Sequence, residues 1–339
     1  TLNTGNPANH SVGLSLNKRT DKLNVFSQFG IGSRTFLSDF NGRTSDRTSE
    51  VPSELINSGD GEKKEDFINL ILGADFFIDA RNVITLSGHY GYEFEDEFSE
   101  NAFQLTSTSE APIDRTIRNE VTDATNPKWQ YELQYKRSYE DHKDHVLLLS
   151  ATGSFFGKDQ SSVFQNTMSE GRFSDFTQLV TDNFQHATYN FQFDYTYPFS
   201  EKKVLEVGTR YQINDNGSDY QLDDLIDGEL ITNVNFTNEF DFDQRVFGAY
   251  TTFGMDLASL SLKGGFRVEH TNVQTLLITG NERNTQSYTN LFPSFHTSYK
   301  VNDYLSMQLG YSRRISRPLA WSLNTFASFT DNLILRTGN

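Results

Sequence analysis

The sequence predicts an all-β fold: an antiparallel transmembrane β-barrel wall of about twelve or more strands. Three observations predict it. Apolar and polar residues alternate with a period of two over unusually long runs, the runs pair across short polar turns, and long intervals separate the pairs. The clearest run is ATYNFQFDYTY. There Ala187, Tyr189, Phe191, Phe193, Tyr195 and Tyr197 share one face, and Thr188, Asn190, Gln192, Asp194 and Thr196 share the other. Strands of soluble domains are about 5 to 6 residues long, whereas a tilted strand crossing hydrocarbon needs about 9 to 11.

Taken in order, the first pair is VGLSLN and LNVFSQFGI, turning at KRTDK. LILGADFFI turns at DARN and returns as VITLSGHYGYEF, and WQYELQY turns at EDHKD and returns as VLLLSATGSF. The run above turns at PFSEKK, opened by Pro198, and returns as VLEVGTRYQI. RVFGAYTTFGM turns near Asp256 to Ser259 and returns as LSLKGGFRVE. NLFPSFHTSY turns at KVND and returns as YLSMQLGYS. Six hairpins give twelve strands. The connections between hairpins, roughly Ser33 to Asp66, Glu95 to Pro127, Gly157 to Gln185, Asn214 to Asp241 and Thr271 to Ser287, read as long loops. Short turns at one rim and long loops at the other characterise an outer-membrane barrel. Repeated structureless loops of this length are foreign to a compact soluble domain.

Bulk composition conceals such a wall, because half of each strand and most of each loop is polar. The 339 residues carry 14% aromatics, no cysteine and a net charge of −16. No apolar stretch reaches the length of a helical span. The acidity, with a pI near 4.8, argues against nucleic acid as a partner. The opening TLNTGNPANH has neither the charged nor the apolar region of a secretion signal, so the chain is expected to lack its true beginning.

Alternation assigns the faces. Arg210, Arg267, Glu269, His89 and His296 fall on the lumen side, and extending YLSMQLGYSRRISRP past the strand places Arg314 inward and Arg313 outward, near the outer leaflet. Arg314 is suited to a plug or an anionic solute, or equally to pairing with Glu269 or Glu206. Trp129, Tyr189, Tyr195, Tyr197, Tyr211 and Tyr311 fall on the lipid side, and with Tyr139 they suit an interfacial aromatic girdle. The lone lumen histidines read as hydrogen-bonded lining. His142 and His145 with Asp141 and Asp144 have a spacing compatible with weak metal binding, but a solvated turn explains them better. The acidic stretch from Asp215 to Glu229 offers hard oxygen ligands for calcium without EF-hand spacing, and a solvated loop is again the stronger reading. No cofactor is expected.

The segments NFQFDYTYPFSEKKVLEVGTRY, LSLKGGFRVEHTN and above all NLFPSFHTSYKVNDYLSMQLGYSRRISRPLAWSLNTF resemble the barrel region of TonB-dependent outer-membrane receptors, in the branch common in Bacteroides and Flavobacterium relatives. The stretch from Tyr311 to Pro318 is the most specific part. The resemblance implies a barrel of 22 strands, a plug inside it, and active uptake of a scarce nutrient such as a siderophore, glycan, peptide or cobalamin-like molecule. It also implies as partners the lipid and lipopolysaccharide of a Gram-negative outer membrane, the TonB energising complex acting through a plug, and a surface lipoprotein. No plug and no TonB-contacting segment stand in the chain. Residues 1 to 339 therefore read as one partial barrel domain, the middle of a larger wall that PLAWSLNTFASFTDNLIL is set to continue.

No catalytic signature is present: no Gly-x-Ser-x-Gly elbow, no His-Glu-x-x-His, no phosphate-binding glycine loop and no cysteine. The expectation is a protein that is not an enzyme. The alternatives are a barrel without energised transport, either a porin or a twelve-stranded phospholipase-like enzyme, and a soluble β-sandwich that binds carbohydrate.

Overall fold

In the computed structural model, residues 1–46, 52–107, 110–140, 142–170, 174–324, 328–331 and 334–336 are described. The chain builds one antiparallel sheet of 14 strands. In chain order these are β1 (Leu2–Asn3), β2 (Asn9–Arg19), β3 (Leu23–Asp46), β4 (Ser53–Phe77), β5 (Asn82–Ser107), β6 (Glu110–Ser138) and β7 (Val146–Glu170). There follow β8 (Phe176–Ser200), β9 (Lys203–Ile226), β10 (Glu229–Thr232), β11 (Asn238–Leu257), β12 (Leu260–Leu277), β13 (Glu282–Lys300) and β14 (Ser306–Ser312). Each strand pairs with the next in sequence, except that β10 folds back on β9 and leaves β11 to pair with β9. Among the described residues the ends of the sheet, β1 and β14, do not meet.

All six expected hairpins form; Asp79 and Asn302 hold two of the turns, while Pro198 lies inside β8 opposite Val204 and its turn falls later, at Glu201 and Lys202. Asp79 accepts the backbone N–H groups of Arg81 and Asn82 at 2.8 and 2.9 Å, and Asn302 does the same for Tyr304 and Leu305, both at 2.9 Å. The opposite rim corrects the sequence reading. The intervals taken as long loops are mostly strand: β3 to β9 each run 24 to 29 residues, far beyond the membrane-spanning length. Backbone pairing simply continues outward, as Arg34↔Glu65 through Asp46↔Ser53 and Glu95↔Ala124 through Leu105↔Asp114. The contrast between an apolar outer face and a polar inner one is lost there: the outer face turns polar, while the concave face buries Leu55, Phe103, Val180, Leu222, Phe240 and Phe242 among polar neighbours such as Thr122 and Ser162, so polarity no longer reports pairing. At Asp227 and Gly228 both residues have positive φ, 53° and 85°, which is the Asp-Gly hairpin turn that reverses β9 into β10.

Burial is inverted relative to a soluble domain. Thr122, Ser162, Asn166, Asn238 and Thr271 are among the most buried side chains, while Leu86, Phe94, Phe191, Phe247 and Phe266 are exposed. The polar set shares the concave face and the apolar set the outer face, as the cross-strand partners Phe191↔Ala151 and Phe191↔Tyr211 require. Such a surface is stable only against hydrocarbon. The outer stripe on β4 reads Phe76, Ala74, Leu72, Leu70, Ile68 and then Asp66. On β5 it reads Ile84 through Phe94 and then Asp96. These aspartates mark the upper edge of the apolar belt.

The described residues after Ser312 do not continue the wall. They leave the strand after Arg313 N–H reaches Pro293 O at 3.3 Å, form one helical turn, α1 (Ala320–Leu323), and end in two short strands, β15 (Ser328–Asp331) and β16 (Ile334–Arg336), paired only with each other. The predicted continuation of the wall through PLAWSLNTFASFTDNLIL is therefore corrected: Pro318 lacks the N–H a strand needs, and side chains of the segment bond across the concave face instead. Arg317 reaches Glu269 and Thr271, and Asn324 accepts from Asn238 at 3.3 Å.

Candidate functional site on the concave face

Period-two alternation puts every second residue of each span inward, and facing strands in register bring those residues into rows. Two charged rows result. The lower one runs across β8, β9, β11 and β12. Tyr250 donates its hydroxyl to Asp194, and the Arg267 guanidinium lies 5.8 Å from the centre of the Tyr250 ring. Arg267 donates to Glu269 at 2.5 Å, and Arg317 closes on the same carboxylate. Beside them Lys263 and Thr252 both donate to Glu206, at 2.9 and 2.5 Å, and Arg210 donates twice to Asn190 Oδ1, at 3.2 and 2.7 Å.

The upper row crosses five strands, β3 to β7, at the level where the outer face turns from apolar to charged. Arg34 donates to Glu65 at 2.5 Å and lies 3.4 Å from Glu93. Lys63 bridges Glu65 and Glu95 at 2.9 and 3.0 Å. Lys128 meets Glu93 at 2.6 Å, and Lys158 and Asn126 meet Glu95 at 3.5 and 3.1 Å. Burial raises the cost of charge on Glu65 and Glu95, but the hydrogen bonds from Lys63 to both, from Arg34 to Glu65 and from Asn126 to Glu95 outweigh it. Both carboxyls are held below their ordinary range. Higher still, burial pushes the Asp182 carboxyl up, and burial beside Asp182 pushes the Tyr220 hydroxyl up to about 12.

The sequence-predicted residues distribute as follows. Arg210, Arg267 and Glu269 lie on the concave face in the lower row. His89 is there too, with Nε2 at 3.3 Å from Asn69 Oδ1, and so is His296, whose ring leans over Gly310: a Cβ on Gly310 would stand 2.9 Å from His296 Nδ1. Arg314 is corrected. The strand ends at Ser312, so alternation no longer governs it, and it is exposed. Arg317, three residues on, is the inward arginine that takes Glu269, while Glu206 is taken by Lys263. Sequence reasoning also missed the upper row, because apart from Glu93 and Lys128 its residues lie in intervals read as loops. The one available signal was opposite charges at matching distances from the DARN turn: Lys63 and Glu65 on one arm, Glu93, Glu95 and Glu97 on the other.

The girdle residues all face outward. Trp129 stacks on Phe155 with ring centres 3.8 Å apart, near the upper edge of the belt. At the lower edge Tyr195 hydrogen-bonds His145 Nε2 at 2.8 Å, His145 stacks on Tyr139, and Tyr197 meets His145 edge-on. Tyr189 lies near the middle of β8, at the upper end of its apolar run. Tyr211 stands opposite Phe191 and Phe247, deeper in the belt than a rim residue, and Tyr311 lies on the outer face of the last wall strand opposite Phe295. His145 is thus part of the girdle; Asp141 lies outside the described residues. The acidic stretch from Asp215 is strand as far as Ile226, which puts Asp215, Asp219 and Asp223 on one face and Asp224 on the other, with Asp227 in the turn that follows. Asp223 is occupied by Gln221 and Thr232, and Asp224 by Gln178 and Asn233. No group of three or more ligating side chains occurs among the described residues.

A comparison with curated proteins finds no match. Among solved structures, the ferric citrate transporter FecA in its unliganded form is similar over 87% of this chain and 42% of its own, with 11% identity and a TM-score of 0.41. The outer membrane protease OmpT of Escherichia coli is similar over 86% of this chain and 97% of its own, with 9% identity and a TM-score of 0.26. The chain thus spans less than half the length of the transporter. The model of the outer membrane protein beta-barrel family matches residues 139–339, more than half of the sequence. With an apolar outer face, a charged concave face and that match, the chain belongs to the outer membrane protein beta-barrel family and resides in the outer membrane.

Proposed function

We propose that this chain is wall from a TonB-dependent receptor, which imports a scarce nutrient through a plugged lumen and performs no covalent chemistry. The observation that carries the reading is a wall of twelve strands, seven of them 24 to 29 residues long, whose ends do not meet among the described residues. A barrel that needs more strands than these has a lumen too wide for its own side chains to fill, and at about 22 strands such lumens are plugged. The charged rows support the same reading: they line the bore with donors and acceptors suited to a polar plug or solute. Cargo, plug and TonB contact follow the sequence resemblance.

The test is made on the full-length protein. In planar bilayers a plugged receptor produces no conductance steps, and it is retained by the periplasmic domain of TonB. Ohmic channel steps with no TonB retention refute the proposal in favour of a porin.

A further inference from the structure

The outer face carries a groove of about 430 Å³ between β6, β7, β8, β9 and β11. Its floor is made of small residues, Ala151 and Thr209, and its walls of Leu133, Tyr135, Phe191, Phe193 and Phe247. The arrangement follows from register. Ala151 stands between Leu133 and Phe191, and Thr209 stands opposite Phe193, so small and large side chains alternate across neighbouring strands and leave a channel. Its volume falls within the usual range of ligand pockets, about 300 to 1,000 Å³.

Directly below the groove, two residues from Tyr135 on the same strand face, lies Arg137. Its direct cross-strand partners are Asn82 and Leu147, neither of them acidic. Among the described residues the guanidinium has no carboxylate partner. It sits 4.8 Å from the centre of the Tyr139 ring, at the edge of the ledge formed by Tyr139, His145 and Tyr195. Of the described carboxylates in the neighbouring turns, Glu140 is engaged by Arg81, Asp79 by the N–H groups of Arg81 and Asn82, and Asp144 lies 3.7 Å from His142. An uncompensated cation facing lipid, in a protein of net charge −16, calls for an anion supplied by the membrane.

We propose that the groove and Arg137 form a site for one glycerophospholipid, with an acyl chain lying in the groove and the phosphate on the Arg137 guanidinium. The short-turn rim places the site in the inner, periplasmic leaflet. The proposal stands independently of transport and of any plug. Three features act together: the guanidinium recognises the phosphodiester, the aromatic ledge seats the glycerol region at the interface, and the small-residue floor admits one chain.

Native mass spectrometry of the full chain, purified in detergent and loaded with phosphatidylglycerol, tests it. One lipid per protein is expected to survive activation, and dioleoylglycerol, which lacks the phosphate, is expected to bind at least about tenfold more weakly, the loss of one charged hydrogen-bonding contact. Arg137→Gln should lower retention by a similar factor. Thr209→Phe, which fills the floor, should abolish it. Arg245→Gln, which removes an outward cation already paired with Asp243 at 3.1 Å near the other rim, should leave it unchanged. Inorganic phosphate at millimolar concentration should not displace the lipid. Equal retention of phosphatidylglycerol and dioleoylglycerol by the unsubstituted protein overturns the proposal without reliance on any variant folding. So does unchanged retention in Arg137→Gln, displacement by free phosphate, or retention of no lipid.

Discussion

Phe191→Arg and Thr152→Arg place the same charge on opposite sides of the wall at almost the same height. Phe191 faces outward, half exposed, between Ala151 on β7 and Tyr211 on β9. It lies near the middle of the apolar run from Tyr197 to Ala187. Ten residue steps at about 3.4 Å, tilted by about 40°, give a belt of roughly 26 Å, matching the hydrocarbon band of about 25 Å. An arginine there should cost about 2 to 4 kcal/mol, which lowers the folding equilibrium constant by roughly 30-fold to 1,000-fold. Thr152 points into the bore directly opposite Glu132 and beside the row that holds Asn190 and Arg210. Arginine at that position finds a carboxylate and water, so its cost should stay within about 1 kcal/mol. Urea titration of protein folded into phosphatidylcholine vesicles, followed by the gel shift between folded and unfolded barrel, measures both. Equal costs for the two variants would refute the assignment of faces, and with it the membrane wall.

Three further outcomes follow from particular contacts. Glu95→Gln should weaken the upper charged row by about 1 to 3 kcal/mol and speed amide exchange in the outer halves of β4 and β5, because Lys63 and Lys158 lose their shared partner. Glu65 and Glu95 have carboxyls lowered from 4.5 in the folded state. Their contribution is therefore complete above about pH 4.5 and lost as pH falls through the depressed folded values; exchange that accelerates on raising pH from 5 to 7, after correction for intrinsic rates, contradicts this sign. Gly208→Ala puts a Cβ 2.5 Å from the Tyr250 ring and should cost about 1 to 3 kcal/mol, with a double change Gly208→Ala/Tyr250→Ala costing less than the sum of the two single changes; additivity in a urea-unfolding cycle would deny the contact.

Much of this wall is legible in the chain wherever one face meets oil and the other water. In ATYNFQFDYTY the solvent difference writes itself into alternate positions, so strand, face and turn can all be read, and Arg210, Arg267, Glu269, His89 and His296 fall on the concave side as alternation requires. Legibility stops where that difference stops. Beyond Asp66 and Asp96 the outer face turns polar while the concave face buries apolar and polar side chains together, as at Leu55, Phe103, Thr122 and Ser162, so the pattern dissolves and strands of full backbone pairing pass for loops. Arg314 fails for a related reason: alternation was carried two residues past the last residue that has a pairing partner.

The sequence by itself determined the two-sided character of the sheet, its twelve membrane strands and the positions of its short turns, because each is a local consequence of period-two burial or of turn chemistry. Only the tertiary structure decided which charges meet. Lys63 and Lys158 converge on Glu95 from 32 and 63 residues away in sequence, one from the neighbouring strand β4 and one across β6 from β7, and Arg317 finds Glu269 because the chain after Ser312 folds inward. Register and chain direction are long-range properties, set by the sum of many backbone hydrogen bonds, and no single stretch of residues carries them.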